Sequence, residues 1–219
     1  PIGGTPVLGA GRLKELNGPL SSDLLEFSYD SLGRVTERKV NGNATTYGYD
    51  SLGRLTQTTN ALGAFTYTYV NQTGRLAGAS YPNGQTVAYD YYPNVAATTG
   101  TGNGDQRLKQ IANSSSGTLY SRFDYGYKLE GAINSWTKTL GTANPVDMAF
   151  SYDPIDRLTG ATYKNGAAVL AQYGYAYDKA DNRTTERRNE TVSTGSFNNV
   201  NELTALSGGG VVDFAGTTT

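Results

Sequence analysis

The chain has 219 residues, and its 18 Lys and Arg against 19 Asp and Glu leave a net charge of −1. Only 17% of its residues are charged against the ~25% usual for a soluble domain, and without a basic face it is not expected to bind nucleic acid. There is no Cys and no His, which excludes disulfides, Cys/His zinc sites, thiol nucleophiles and His-based triads, and no apolar run approaches the ~18 residues of a membrane-spanning helix.

A repeat of about twenty residues organises everything else. Taking Tyr49 in Tyr47-Gly48-Tyr49-Asp50-Ser51-Leu52-Gly53-Arg54-Leu55-Thr56 as an anchor, the equivalent positions are Val7, Tyr29, Tyr49, Tyr69, Tyr89, Tyr127, Tyr152, Tyr177 and Phe197. In chain order, residues 1–26 form a degenerate first unit, with Gly11-Arg12-Leu13-Lys14 in the place of Gly53-Arg54-Leu55-Thr56. Leu20 to Leu25 reads either as a helical turn capped by Ser22 or Asp23 or, preferably, as a strand entering the next unit. A chain that opens on Pro inside a partial repeat is expected to be a piece of something larger.

Residues 27–90 are the regular part. Tyr29-Asp30-Ser31-Leu32-Gly33-Arg34-Val35-Thr36 and the stretch at 49–56 each place an Asp that can accept turn N–H groups four residues before an Arg. Gly33 and Gly53 supply the left-handed conformation that closes the turn. Tyr69 opens a third copy with one extra turn residue before Gly74 and Arg75, and Tyr89-Asp90 opens a fourth. Between them, Ala64-Phe65-Thr66-Tyr67-Thr68-Tyr69 alternates ring and small residue, the period of a half-buried strand. Asn41-Gly42 and Asn83-Gly84 predict two-residue type I′ hairpin turns. The period breaks at about 93–119, where Val95 to Gly104 predicts a surface loop, Arg107-Leu108-Lys109 a resumed strand, and Asn113 to Gly117 a second soft stretch.

Residues 123–205 return to the array in looser form. Tyr127 and Gly131 keep the ring and the turn but lose Asp and Arg; Tyr152-Asp153 with Arg157, and Tyr177-Asp178, put Asp156 and Asp181 at the glycine position. Asp tolerates the left-handed region nearly as well. Trp136 is expected to pack on the aromatic stripe of a neighbouring strand. The expected organisation is one hairpin ribbon over residues 1–206, then a Gly-rich linker and the start of a further strand at 207–219. A chain of this length is long enough to bury a core.

Tyr-Asp-x-x-Gly-Arg-Leu-Thr at twenty-residue intervals resembles the YD repeat of the Rhs/YD-repeat family, over about residues 7–206. The resemblance implies an all-β array of antiparallel hairpins, a twisted ribbon that spirals into the wall of a shell. In bacterial Rhs proteins and toxin-complex subunits such a shell encloses a toxin fragment; in teneurins it is part of an adhesion receptor. Partners implied are the rest of a longer parent chain or an enclosed polypeptide, and the location is extracellular or the cell surface, in bacteria. Self-cleavage in toxin-bearing members uses an Asp-Pro-x-Gly signature beyond the repeats; here Asp153-Pro154-Ile155-Asp156 lies within a repeat and has Asp in place of Gly, so no cleavage is assigned to it.

No catalytic, cofactor or metal residues are assigned. The pairs Asp153/Asp156 and Asp178/Asp181 sit at turn positions and read as turn caps rather than acid–base pairs. Arg34, Arg54, Arg75 and Arg157 are expected to meet the turn Asp or a neighbouring strand as weak exposed pairs. Tyr47, Tyr67, Tyr173 and Tyr175 form a ring-rich face that either packs the ribbon or offers a surface for glycans. Five Asn-x-Ser/Thr sites, at Asn43, Asn71, Asn113, Asn182 and Asn189, match the glycosylation pattern at the frequency expected by chance in so polar a chain. Open strand edges imply association into oligomers or fibres.

Overall fold

A computed structural model describes residues 8–95 and 102–208. Val7, the middle of the Val95–Gly104 loop and residues 209–219 lie outside them. Among the described residues there is no helix, and the chain forms strands β1 (Glu15–Leu16), β2 (Leu25–Tyr29), β3 (Val35–Val40), β4 (Asn43–Tyr49), β5 (Leu55–Asn60), β6 (Gly63–Tyr69), β7 (Leu76–Ser80), β8 (Gln85–Tyr91), β9 (Leu108–Ser115), β10 (Thr118–Tyr127), β11 (Ile133–Leu140), β12 (Val146–Tyr152), β13 (Leu158–Asn165), β14 (Ala168–Tyr177), β15 (Arg183–Arg188), β16 (Thr191–Phe197) and β17 (Leu203–Gly208). This is the all-β array of antiparallel hairpins expected from the repeat.

The chain divides into two compact units, Pro1–Tyr89 with Asn113–Thr118, and Asp90–Ala112 with Leu119–Thr219. In the first, β1 through β8 pair antiparallel in sequence order. In the second, β9 pairs with β10 and the series runs on to β17. Ring-bearing and β-branched residues on alternate positions make these segments strands, because such side chains suit a pleated, half-buried surface.

Among the described residues, seven of the repeats carry the same irregularity. Tyr49 stands opposite Leu55 while Gly48 stands opposite Gln57, so Thr56 is an extra residue in its strand. The same bulge leaves over Thr36, Thr159, Thr184 and Thr204. The final Thr of the repeat motif is therefore the bulge residue, the position at which the ladder bends and its twist increases. Where the extra residue loses its rung, its hydroxyl restores a contact: Thr184 donates to the Ala176 carbonyl at 3.3 Å and Thr204 to that of Ser196 at 3.0 Å.

The turns follow the motif with four corrections. Gly33 and Gly53 take φ of +75° and +82°, and Asp156, Asp181 and Asn201 take +62° to +66° at the equivalent place. In the third copy the left-handed residue is Asn71, φ +47°, and not Gly74; the tight turn keeps its place at Val70–Thr73, closed by the Thr73 N–H on the Val70 carbonyl at 3.0 Å, and the extra residue, Gly74, follows it before Arg75. Asn41 and Gly42 are both left-handed, as a type I′ turn requires. At Asn83-Gly84 only Gly84 is, because Pro82 holds the preceding position at negative φ and the Gly84 N–H closes on the Tyr81 carbonyl at 3.0 Å. The soft stretch at Asn113–Gly117 is instead the end of β9 and a tight Ser116-Gly117 turn with both residues left-handed. The Leu20–Leu25 segment is neither helix nor strand until Leu25: Asp23 accepts the N–H groups of Gly18 and Leu20 at 3.1 and 2.7 Å and holds it as a turn.

The core that the chain length allows is absent from the described residues. Only Ala79, Val87 and Ala161 among the apolar residues are buried, and no large side chain is fully so. Hairpins laid side by side bury one another's edges, not their faces. Cohesion must come from contacts between successive repeats.

Candidate functional site

The motif residues converge on one recurring constellation. Asp50 accepts the N–H groups of Leu52 and Arg54, both at 2.9 Å, and the Arg54 Nε at 2.6 Å. Asp30 does the same for Leu32 and Arg34, and Asp153 for Ile155 and Arg157. Each Arg is then carried onto the next repeat. Arg34 lies 4.5 Å from the ring centre of Tyr49, Arg54 4.5 Å from that of Tyr69, and Arg157 4.8 Å from that of Tyr177. Guanidinium over a ring is an attractive pair.

The link closes in both directions. Tyr49 donates its hydroxyl to the Val35 carbonyl at 2.8 Å, Tyr69 to Leu55 at 2.7 Å and Tyr177 to Leu158 at 2.9 Å, each carbonyl being that of the residue after the stacked Arg. Meanwhile Arg54 donates to the Asn71 carbonyl at 2.8 Å and to that of Thr73, and Arg157 to the Asp178 carbonyl at 2.9 Å. An Asp–Arg–Tyr step therefore ties one repeat to the next by a ring, a carbonyl and a turn. These arginines are three-quarters shielded and multiply bonded, more than the weak exposed pairs expected of them.

Degenerate repeats keep the step by substitution. The Tyr127 copy has Ala132 in the Arg position, and there Lys128, in the Asp position, reaches the Tyr152 ring at 5.3 Å and Asp156 at 3.0 Å. Tyr152 still donates to Ile133 at 2.6 Å. In the Tyr177 copy, Asn182 takes the Arg position, donating to Asp178 at 2.9 Å and to Asn201 of the following turn at 3.1 Å. Asp153/Asp156 and Asp178/Asp181 are turn groups, as the sequence indicates, with Asp156 and Asp181 also receiving a cation from the preceding repeat.

The fourth anchor moves by two residues. Asp90 is exposed and paired with Lys109 at 2.7 Å, whereas the Tyr92 N–H bonds the Arg107 carbonyl as the Asp50 N–H bonds that of Arg54. Tyr91 and Tyr92, not Tyr89 and Asp90, thus occupy the motif register, with fourteen residues between Tyr92 and Arg107 where three lie between Asp50 and Arg54. Arg107 resumes the ladder: it lies 5.8 Å from the Tyr127 ring and donates to the carbonyls of Lys128 and Leu129 at 2.8 and 2.9 Å. The sequence indicates a resumed strand at Arg107-Leu108-Lys109 but not its place in the ladder, because the insertion separates Arg107 from its own anchor.

The ring-rich face also resolves into parts. Tyr47 and Tyr67 lie in the first unit, Tyr173 and Tyr175 in the second, all half-buried. Tyr67 faces Ala79 across the ladder, and Arg183 covers the Tyr175 ring at 5.4 Å. The sequence reading passed over a hollow of about 390 Å³ in the second unit, lined by Phe123, Tyr125, Ile133, Trp136, Phe150 and Tyr152. Trp136 packs there on Phe123 with ring centres 6.0 Å apart, as its expected stacking requires. The signal was present in the alternation of rings along β10 and β12.

Hydrogen bonding sets the electrostatics of the turns. The Arg34 N–H, ahead of its guanidinium, holds the Asp30 carboxyl below its ordinary value against an opposing effect of burial. At Asp50 and Asp153 burial pushes upward, but the Arg side chain and the turn N–H groups outweigh it and both carboxyls are lowered. A carboxyl lowered by folding contributes stability that is complete above its unfolded pKa and is lost as pH falls through the folded value. The denaturant midpoint is therefore expected to hold steady from about pH 7 to about 5 and to fall below about pH 4. Asp50→Asn should lower the midpoint at neutral pH and flatten that acid fall; a profile parallel to that of the parent would remove this carboxyl from the explanation.

Residues 29–64 and 49–86 match the RHS repeat family model. No curated protein matches the chain. Among solved structures, TcdB2-TccC3-TEV is similar at 12% identity and a TM-score of 0.32, over 89% of this chain and 13% of that one. The Tc holotoxin pore of Photorhabdus luminescens is similar at 11% identity and a TM-score of 0.27, over 85% of this chain and 16% of that one. A porin-like protein from Bacteroides uniformis is similar at 14% identity and a TM-score of 0.39, over 90% and 95% of the two chains. The chain thus spans about an eighth of the length of the first of these.

Proposed function

Since the chain carries RHS repeats, we propose that it is a structural strip, a wall segment of a larger exported or cell-surface bacterial protein that encloses or displays another polypeptide. The observation that supports this reading is the ladder. Its Asp, Arg and Tyr side chains are each committed to a turn, a ring or a carbonyl of the same or the adjoining repeat. A motif spent on joining neighbours extends a surface; nearest-neighbour cohesion is how repeat arrays gain stability with length.

Protease treatment of the parent protein tests the proposal. An enclosed polypeptide should survive while the ladder is intact and become cleavable once Arg54 and Arg157 are both changed to Ala. Equal cleavage in the two proteins, with the repeats folded in both, would overturn it.

A second reading, attachment to glycans, is favoured by the open ring-lined hollow around Trp136, since aromatic faces pair with the apolar faces of sugars. Saturable binding of a defined glycan, lost on Trp136→Ala in a folded protein, would support it; no binding across a glycan panel would dismiss it.

A further inference from the structure

Five Asn-Gly steps occur in the chain, at Asn17, Asn41, Asn83, Asn103 and Asn165. In an unfolded chain these are chemically alike, because the residue after each Asn is the same. Folding separates them by what it does to two groups, the Asn carboxamide and the N–H of the following Gly.

Four steps are restrained. The Gly18 N–H is bound by Asp23 Oδ1 at 3.1 Å. The Asn41 side chain is held at both ends, Oδ1 by the Leu24 N–H at 2.9 Å and Nδ2 on the Ser22 carbonyl at 2.6 Å. Asn83 Oδ1 accepts the Gln85 N–H at 3.1 Å while the Gly84 N–H is held by Tyr81. Asn103 Oδ1 accepts the Tyr127 N–H at 3.2 Å, and the Gly104 N–H bonds the Gly102 carbonyl at 3.1 Å.

Asn165-Gly166 is different. Among the described residues neither the Asn165 carboxamide nor the Gly166 N–H has a hydrogen-bond partner. Gly166 is exposed to water at a two-residue turn, and Asn165 borders a hollow of about 250 Å³ shared with Lys138, Val146 and Tyr163, which leaves its side chain room to rotate.

We propose that Asn165-Gly166 is the site of spontaneous deamidation in the folded chain. The Gly166 nitrogen attacks Cγ of Asn165; the new N–Cγ bond replaces Cγ–Nδ2, and ammonia leaves with the proton of the Gly166 N–H. Water then opens the succinimide at either carbonyl, giving aspartate or isoaspartate. Both products add a negative charge. The second also inserts a methylene into the main chain at the last rung of β13 and β14, where Asn165 pairs with Ala168, so this hairpin loosens with age.

The test is peptide mass spectrometry of the full chain incubated at mildly alkaline pH, folded and in urea. In the folded chain Asn165 should convert first, roughly tenfold faster than Asn41, the order of two ordinary hydrogen bonds that Asn41 must give up. In urea the five sites should convert at comparable rates. Conversion of Asn41 or Asn83 as fast as Asn165 in the folded chain would overturn the proposal. So would the same preference for Asn165 in urea, since sequence and not structure would then set it.

Discussion

Arg54→Ala is expected to lower the stability of the repeats around it by about 2–4 kcal/mol, an effect of the size seen for breaking a hydrogen-bonded charge network. Arg54 stands 4.5 Å from the Tyr69 ring, worth about 0.5–1 kcal/mol or more once shielded. It also donates to the carbonyls of Asn71 and Thr73, and charged hydrogen bonds contribute about 1.5–3 kcal/mol each before their overlap is counted. Its side chain is only 21% exposed, so water replaces these contacts poorly. Arg54→Lys keeps the charge but not the planar fork that serves ring, carboxylate and carbonyl together, and should recover less than half of the loss. The measurement is the urea midpoint, with hydrogen exchange along β4 to β6 to localise the change, since an array loses stability next to the broken step. If Arg54→Ala costs no more than Arg188→Ala, the ladder is not what joins the repeats.

Gly63→Ala is the second large effect, expected at about 2–4 kcal/mol from strain and collision together. Gly63 has φ +117°, and a Cβ there would lie 2.7 Å from Cβ and 3.1 Å from Cγ of Pro82, a ring that cannot rotate aside. Gly42→Ala is the control. Its φ is +80°, yet nothing lies within 4 Å of a Cβ, so it should cost about 1 kcal/mol, the conformational share alone. Urea midpoints of the two variants separate space from torsion. Equal losses would mean that Pro82 yields and that φ by itself sets the cost.

Much of the site was legible because its geometry is local. Asp30, Asp50 and Asp153 lie four residues from the Arg they bind, and a turn brings the pair together whatever surrounds it. What lay beyond reading was which ring of the neighbouring strand each Arg meets. Arg34 meets Tyr49 and Arg157 meets Tyr177 across a strand pair, at separations that depend on hairpin length and on a bulge. Hence the anchor at Tyr89 misplaced the register, and Lys128 was seen as a lost Asp when it supplies the missing cation.

The burial outcome has the same origin. Chain length allowed a core, but length measures only how much surface there is to bury. Whether it is buried depends on whether one layer covers another, and here Ala79, Val87 and Ala161 are the buried apolar residues among those described.

By itself the sequence determined the array: a twenty-residue period, turns at Asp and Gly, alternating strands, and no His or Cys chemistry. These follow from φ preferences and side-chain alternation, which act over a few residues. Only the tertiary structure decided that Thr56 and its equivalents are bulges, that Arg107 resumes the ladder across the insertion, and that each Arg stacks on the following Tyr. Those depend on which residue of one strand stands opposite which of the next, and a shift of one rung, invisible in composition, turns every side chain to the other face.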